Sequence, residues 1–226
     1  PPPPNHTHPP DTNQSWYSSA ASDVYKRQAQ TSIYISSPGA VLGAGRGRYQ
    51  LIMLKAVFPG TFDPIHYGHI DIVNRSARLF DKIVVAAYDK PLKSLLFSPE
   101  ERIDLVKQSF DGNGKVDVMG YSSLTVDFCR SIDAQFIVRG LRVFSDFEYE
   151  FRMALANHRL APEIEMVLFI TAEEHTFLSS STVREIASLG GDISSMVPPH
   201  VEKILRQRFM ELGEGQEVVP TTSLRD

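Results

Sequence analysis

A chain of 226 residues with 42% hydrophobic and 22% charged side chains has the size and composition of one substantial globular domain and is short for two. Its formal charge of −4 excludes general nucleic-acid binding, which needs a broad basic surface, but allows a local basic pocket around a phosphorylated small molecule. Cys129 is the only cysteine, which excludes an intramolecular disulfide and a thiol-based metal site. No apolar run approaches the ~20 residues of a membrane span, so the expectation is a cytoplasmic protein without a membrane partner.

Residues 1–52 hold seven of the 15 prolines and the only tryptophan, Trp16, but no glutamate. They show no sustained hydrophobic period and are rich in Ser, Thr, Asn and Gln. The stretch from Ser18 to Gln28 resembles translated adaptor sequence. Residues 1–52 are therefore predicted to be a non-native or disordered extension, with Met53 as the native start and 53–212 as the domain. Removing the extension takes away Lys26, Arg27, Arg46, Arg48, Asp11 and Asp23, leaving a formal −6. An acidic domain that binds phosphates has to gather its few cations at one site.

Short β-rich apolar runs follow at Lys55–Phe58, Lys82–Ala87, Val116–Met119, Phe136–Val138 and Met166–Ile170. Between them lie helical signals. Ile70, Val73, Ala77 and Phe80 recur at helical spacing. Ser98-Pro-Glu-Glu101 is a capping box with proline at N1, so a helix should run from there to about Gln108. Further helices are predicted over Val126–Ile132, Asp146–Leu160, Thr182–Leu189 and Pro199–Leu212. The polar stretch 213–226 reads as a flexible tail. Alternation of this kind predicts an α/β fold: a Rossmann-like, doubly wound parallel sheet of five strands in a single domain, with a C-terminal helix.

Ligands of open α/β sheets collect at the carboxyl ends of the strands, and the informative residues fall there. Phe58-Pro-Gly-Thr-Phe-Asp-Pro-Ile-His-Tyr-Gly-His69 runs from the first of these strands into the first helix. Gly60 and Gly68 would admit a close ligand. His66 and His69 bracket a helix N-terminus, which favours anions. Zinc is a poor match, because no third ligand follows at a suitable spacing. Taken alone, His-x-Gly-His could equally be turn chemistry. Arg139 and Arg142 flank Gly140 at a strand end, where two guanidinium forks make a phosphate clamp. Asp146, Glu148 and Glu150 fit the acidic first turns of a helix. Ser179, Ser180 and Ser181 could cap the helix near Thr182 or bind phosphate oxygens at its start. An isolated Lys93 in a loop is usually solvated.

The long segment from Phe58 to His69 closely resembles the signature of the nucleotidyltransferase superfamily, and within it the phosphopantetheine adenylyltransferase family. The resemblance continues through Lys93, Arg139-Gly-Leu-Arg142, Asp146-Phe-Glu-Tyr-Glu150 and Phe177-Leu-Ser-Ser-Ser181, covering roughly Leu54 to Leu212. It implies an adenylyltransferase that moves AMP from ATP to 4′-phosphopantetheine, giving dephospho-coenzyme A and pyrophosphate. It further implies that His69 stabilises the transition state and that Lys93, Arg139, Thr61 and Thr125 hold the acceptor. ATP would be bound by Thr61, Phe62, His69, Gly140, Leu141, Arg142, Glu150 and the stretch His175, Thr176, Phe177, Leu178, Ser179, Ser180, Ser181. Mg²⁺ is expected on the ATP phosphates with no dedicated protein ligand. A homohexamer and feedback by coenzyme A are expectations of the same resemblance.

A phosphate monoester is already an anionic nucleophile, so attack on the α-phosphorus requires no activated side chain. Catalysis then reduces to alignment and charge neutralisation. Three alternatives stand beside this reading. A sister enzyme could use the fold on nicotinamide mononucleotide or glycerol 3-phosphate. A class I aminoacyl-tRNA synthetase shares a similar histidine signature, but this chain has no room for a tRNA-reading domain. The third alternative is a non-catalytic nucleotide-binding regulator. Cys129 reads as core packing.

Overall fold

The computed structural model describes residues 34–35, 40–43, 50–90 and 95–213. Most of the expected extension, Lys93 and the tail beyond Gly213 lie outside them. Within the extension, β1 (Tyr34–Ile35), β2 (Ala40–Gly43) and β3 (Gln50–Met53) form a small sheet in that order. β1 and β2 pair antiparallel, an order that the aperiodic sequence there does not announce. Val41–Ile52 belong to one compact unit and the residues from Met53 onward to another.

The second unit is an alternating α/β structure. In chain order it contains β4 (Lys55–Gly60), α1 (Tyr67–Ser76), β5 (Lys82–Tyr88), α2 (Pro99–Ser109), β6 (Val116–Tyr121) and α3 (Thr125–Ser131), then β7 (Phe136–Leu141), α4 (Phe144–Leu160), β8 (Glu165–Ile170), α5 (Ser180–Ser188) and α6 (Pro199–Leu212). The five strands order as β6-β5-β4-β7-β8, and every neighbouring pair is parallel. The doubly wound reading holds. Chain order reverses between β4 and β7, and the crevice outside the carboxyl ends at such a reversal is where ligands bind.

Side-chain alternation splits the core into two layers. Ala56, Phe58, Ile83, Val85, Ala87 and Val138 pack on one face with Ile72 and Val73 of α1, Leu105 of α2, Val183 of α5 and Val201 and Leu205 of α6. Val57, Val84, Ala86 and Ile137 face the other way, against Val126, Phe128 and Cys129 of α3 and Ala161 and Ile164 after α4. Cys129 is buried there, and burial pushes its thiol up to about 12. It is a packing residue, as expected, and a poor nucleophile at neutral pH.

Local chemistry sets the helix starts. The Ser98 hydroxyl accepts from the Glu101 N–H at 3.3 Å while the Glu101 carboxylate accepts from the Ser98 N–H at 2.8 Å. This reciprocal cap is the one predicted. Ser179 caps α5 by accepting from the Thr182 N–H at 3.0 Å. α6 opens with proline and gives way to Gly213 at φ +74°, a left-handed turn that glycine adopts without a steric penalty.

Candidate active site

The turn joining β4 to α1 builds the floor of the site. Phe62 adopts φ +52° and buries its ring, 1% exposed, beneath the strand end. A Cβ at position 60 would sit 2.9 Å from that ring, so Gly60 makes room for Phe62 as well as for a ligand. The ring meets His69 edge-on with centroids 5.1 Å apart. His66 stacks on His69 with ring centroids 3.7 Å apart. Its backbone N–H donates to Nδ1 of His69 at 3.3 Å. A ring nitrogen that accepts carries no proton, so the neutral His69 presents its N–H at Nε2. The imidazole is thereby held by one stacked and one edge-on ring and set as a donor.

Basic side chains gather around this helix entrance. Burial, followed by the neighbouring His69, Arg142 and His175, holds the pKa of His66 well below the usual imidazole range. His66 therefore stays neutral, with His69, Arg142 and His175 close enough to act on it. His175 also lies close to Gly68, where an added Cβ would stand 3.6 Å from the His175 Cβ. The N-terminus of α1 adds its own partial positive charge. Anions would be attracted here.

Beside this cluster, a cavity of about 330 Å³ opens at the carboxyl ends of β4, β5, β6 and β7. Thr61, Thr125, Arg139 and Glu150 line it, together with Tyr88, Tyr121 and Tyr149. Arg139 is fixed by a fork onto Glu150, with Nε–Oε1 at 2.9 Å, Nε–Oε2 at 3.0 Å and Nη2–Oε1 at 2.6 Å, and Nη1 donates to the Pro59 carbonyl at 2.8 Å. Thr125 hydrogen-bonds Tyr121 through their hydroxyls at 3.0 Å. A second concavity of about 410 Å³, lined by Lys107, Asp111, Gly114 and Asp117 among others, carries none of the candidate residues.

The predicted residues thus separate into two neighbourhoods, and several take roles that the sequence did not suggest. Glu150, expected to bind nucleotide, is buried with its carboxylate engaged by Arg139. Phe62 and Leu178 are core side chains, which leaves only their backbone to meet a ligand. Ser179 is occupied as a cap, Thr176 donates to the Glu173 carbonyl at 2.8 Å, and Ser180 donates to the Pro64 carbonyl at 2.8 Å. Phe177 is exposed. Arg142 pairs with Asp146 at 3.3 Å and donates to the Leu178 carbonyl at 3.0 Å, tying the end of β7 to the entry of α5. Gly140 lets β7 approach α1, since a Cβ there would lie 3.3 Å from Ile72. Leu141 completes β7, its carbonyl accepting from the Thr171 N–H at 2.8 Å. Ser181 lies in the first turn of α5.

Sequence reasoning missed three framework charges. Arg102, fully buried, donates from Nη1 to the Thr61 carbonyl at 2.6 Å and to the Tyr88 carbonyl at 3.0 Å, binding the ends of β4 and β5 together. Asp63 and Arg184 form a buried pair at 3.2 Å. Arg102 and Arg184 lie on helices, where charges usually read as solvated, and Asp63 stood inside the quoted turn segment without a role of its own. Tyr88 and Tyr121 could have been found, because each follows within two residues of a predicted parallel strand, on the ligand side. No group of three or more His, Cys, Asp or Glu side chains suited to a metal occurs among the described residues.

The Cytidylyltransferase-like family profile matches residues 57–186. A phosphopantetheine adenylyltransferase of Roseiflexus sp. (strain RS-1) is 51% identical over 157 residues, 70% of this chain and 98% of that protein. The Gloeobacter violaceus phosphopantetheine adenylyltransferase is 49% identical over 68% of this chain and 96% of its own length. That of Desulforudis audaxviator is 48% identical over 72% of this chain and the whole of its own. A solved Vibrio parahaemolyticus structure, provisionally named a nicotinate-nucleotide adenylyltransferase, superposes with TM-score 0.51 at 19% identity, over 68% of this chain and 99% of that one. That likeness concerns the fold.

Proposed function

The chain belongs to the phosphopantetheine adenylyltransferase family, and we propose that its site carries the adenylyl group of ATP to 4′-phosphopantetheine by direct in-line attack, without a covalent enzyme intermediate. An acceptor phosphate oxygen forms a bond to the α-phosphorus as the bond from that phosphorus to the bridging oxygen breaks, and pyrophosphate leaves with the electron pair. The acceptor phosphate is ionised at neutral pH, so no protein base is required. The protein supplies alignment and positive charge.

The observation that carries this reading is His69 set as an Nε2–H donor amid basic side chains at a helix N-terminus, beside a cavity at the strand ends. We assign His69 to the phosphate where charge grows, Arg139, Lys93 and Thr125 to the acceptor, and Thr61 to both ligands. The nucleotide is assigned to the backbone of Phe62 and of Gly140 to Arg142, and to His175 through Ser181. Glu150 acts on it through Arg139. Mg²⁺ suits the ligand oxygens of ATP with water completing its shell, because the described site offers imidazole, guanidinium and hydroxyl groups rather than a carboxylate cage. The buried free thiol fits a cytoplasmic setting.

Pyrophosphate release from ATP with each candidate acceptor tests the assignment. 4′-Phosphopantetheine is expected to support turnover far above nicotinamide mononucleotide or glycerol 3-phosphate, and the reverse order overturns it. A chain beginning at Met53 is expected to fold and keep this activity, because the described core and every candidate side chain lie beyond residue 53. A large loss of Tm or turnover on that truncation would move the domain boundary.

The exposed side of α4 supports assembly. Phe144, Phe147 and Phe151 stack along the helix with centroids 6.4 and 5.8 Å apart, and Phe144 is 89% exposed. Contiguous apolar surface of this kind marks an interaction face, and we read it as the contact between copies in a homohexamer. Light scattering is expected to give six copies, with Phe151→Glu dropping to smaller species. A wild-type monomer contradicts the reading. Feedback by coenzyme A would act at the same cavity, because that molecule contains the acceptor's own arm.

A further inference from the structure

A buried ion pair fastens α5 to the turn that carries Thr61 and His69. Asp63, 1% exposed, lies in the turn between Thr61 and His69. Its carboxylate accepts the N–H groups of Leu96 at 2.9 Å and Phe97 at 3.0 Å, and Arg184 of α5 at 3.2 Å. Arg184 also donates to the Asp63 carbonyl oxygen. One turn away, Ser180 donates to the Pro64 carbonyl at 2.8 Å. A single carboxylate therefore joins the β4–α1 turn, the segment leading into α2, and α5.

Stability alone does not require this pair. A buried ion pair can often be replaced by apolar groups of similar volume with little loss, because the desolvation penalty offsets much of the attraction. What an apolar cluster lacks is direction. The fork of a guanidinium and the lone pairs of a carboxylate fix distance and orientation together.

We propose that the Asp63–Arg184 pair is a positioning device for adenylyl transfer, holding the N-terminus of α5 and the Leu96–Phe97 segment in register with the turn that carries Thr61 and His69. The proposal rests on the reading of that site as an adenylyltransferase centre. Neither side chain needs to touch a substrate. Their effect is on alignment, and an error of about 1 Å in alignment costs about 10²-fold in rate.

The test compares Arg184→Gln, Asp63→Asn, their double variant and the conservative Arg184→Lys, all in the full chain, with Leu205→Ala as a control. Leu205 is fully buried on α6, so its truncation lowers Tm without disturbing the pair. Rates are measured well below the lowest Tm of the set. The expected result is a kcat lower by about 10²-fold in Arg184→Gln and Asp63→Asn, with KM for ATP changing far less. Arg184→Lys should recover much of the loss, the double variant should be no worse than either single, and Leu205→Ala should keep the wild-type kcat. If Arg184→Gln does not fold, Asp63→Asn and Arg184→Lys carry the same comparison. Wild-type kcat in the folded pair variants, or an equal loss in Leu205→Ala, overturns the proposal while leaving the function intact. A wild-type chain inert toward ATP and 4′-phosphopantetheine overturns both.

Discussion

His69→Ala is expected to lower kcat by at least about 10²–10³, the effect of removing one preorganised donor, while ATP affinity falls by a much smaller factor. The argument begins with the His66 N–H that occupies Nδ1 and so places the proton on Nε2. The ring is packed between Phe62 and His66, which removes the need to reorganise during the reaction. A donor whose partner gains charge only as pyrophosphate departs acts mainly on the transition state, so turnover suffers more than binding. Folding should survive, because His69 is only partly buried at the ligand side of α1. Folded His69→Ala protein turning over near the wild-type rate would reduce this histidine to a turn residue.

The second large effect is expected at Arg139, where stability and activity should separate. Arg139→Ala strips the buried Glu150 carboxylate of its ion-pair partner, and leaving one buried charge uncompensated costs about 3–5 kcal/mol. It also removes a cation lining the acceptor cavity, and a hydrogen bond to a charged group contributes about 1.5–3 kcal/mol. The acceptor kcat/KM should therefore fall by at least about tenfold, since about 1.4 kcal/mol is a factor of ten. Arg139→Ala combined with Glu150→Ala leaves no orphaned carboxylate, so it should regain much of the stability in chemical denaturation. Acceptor handling should stay impaired. Recovery of both would mean that Arg139 serves Glu150 alone.

The parts legible in the sequence were those governed by local pattern. Short β-rich apolar runs placed all five strands of the parallel sheet, and the Ser98–Glu101 cap marked α2 to within a residue. Strand ends were harder. The predicted strand stopped at Val138, yet Arg139, Gly140 and Leu141 continue β7 because they pair with Leu168, Phe169 and Ile170 of β8. Ladder pairing across the sheet overrides the weak strand character of Arg-Gly. α1 ends at Ser76, and Phe80, which fits the helical spacing, packs into the core from beyond it.

The site shows the same division. The turn residues, the paired arginines and the serines at α5 were visible as clusters at strand or helix ends. Arg139 with Glu150, Asp63 with Arg184 and Arg102 with two carbonyls were not, because each joins different elements across 11 residues or more. No local period records a partner 121 residues away, which is the separation of Asp63 and Arg184.

The central claim is that the acceptor phosphate attacks the α-phosphorus directly. The stereochemical course of transfer from ATP carrying a single chiral thiophosphate at the α-position tests it most directly. One in-line displacement predicts inversion at phosphorus in the dephospho-coenzyme A analogue. Retention would require two displacements through an adenylylated side chain, and would contradict the account.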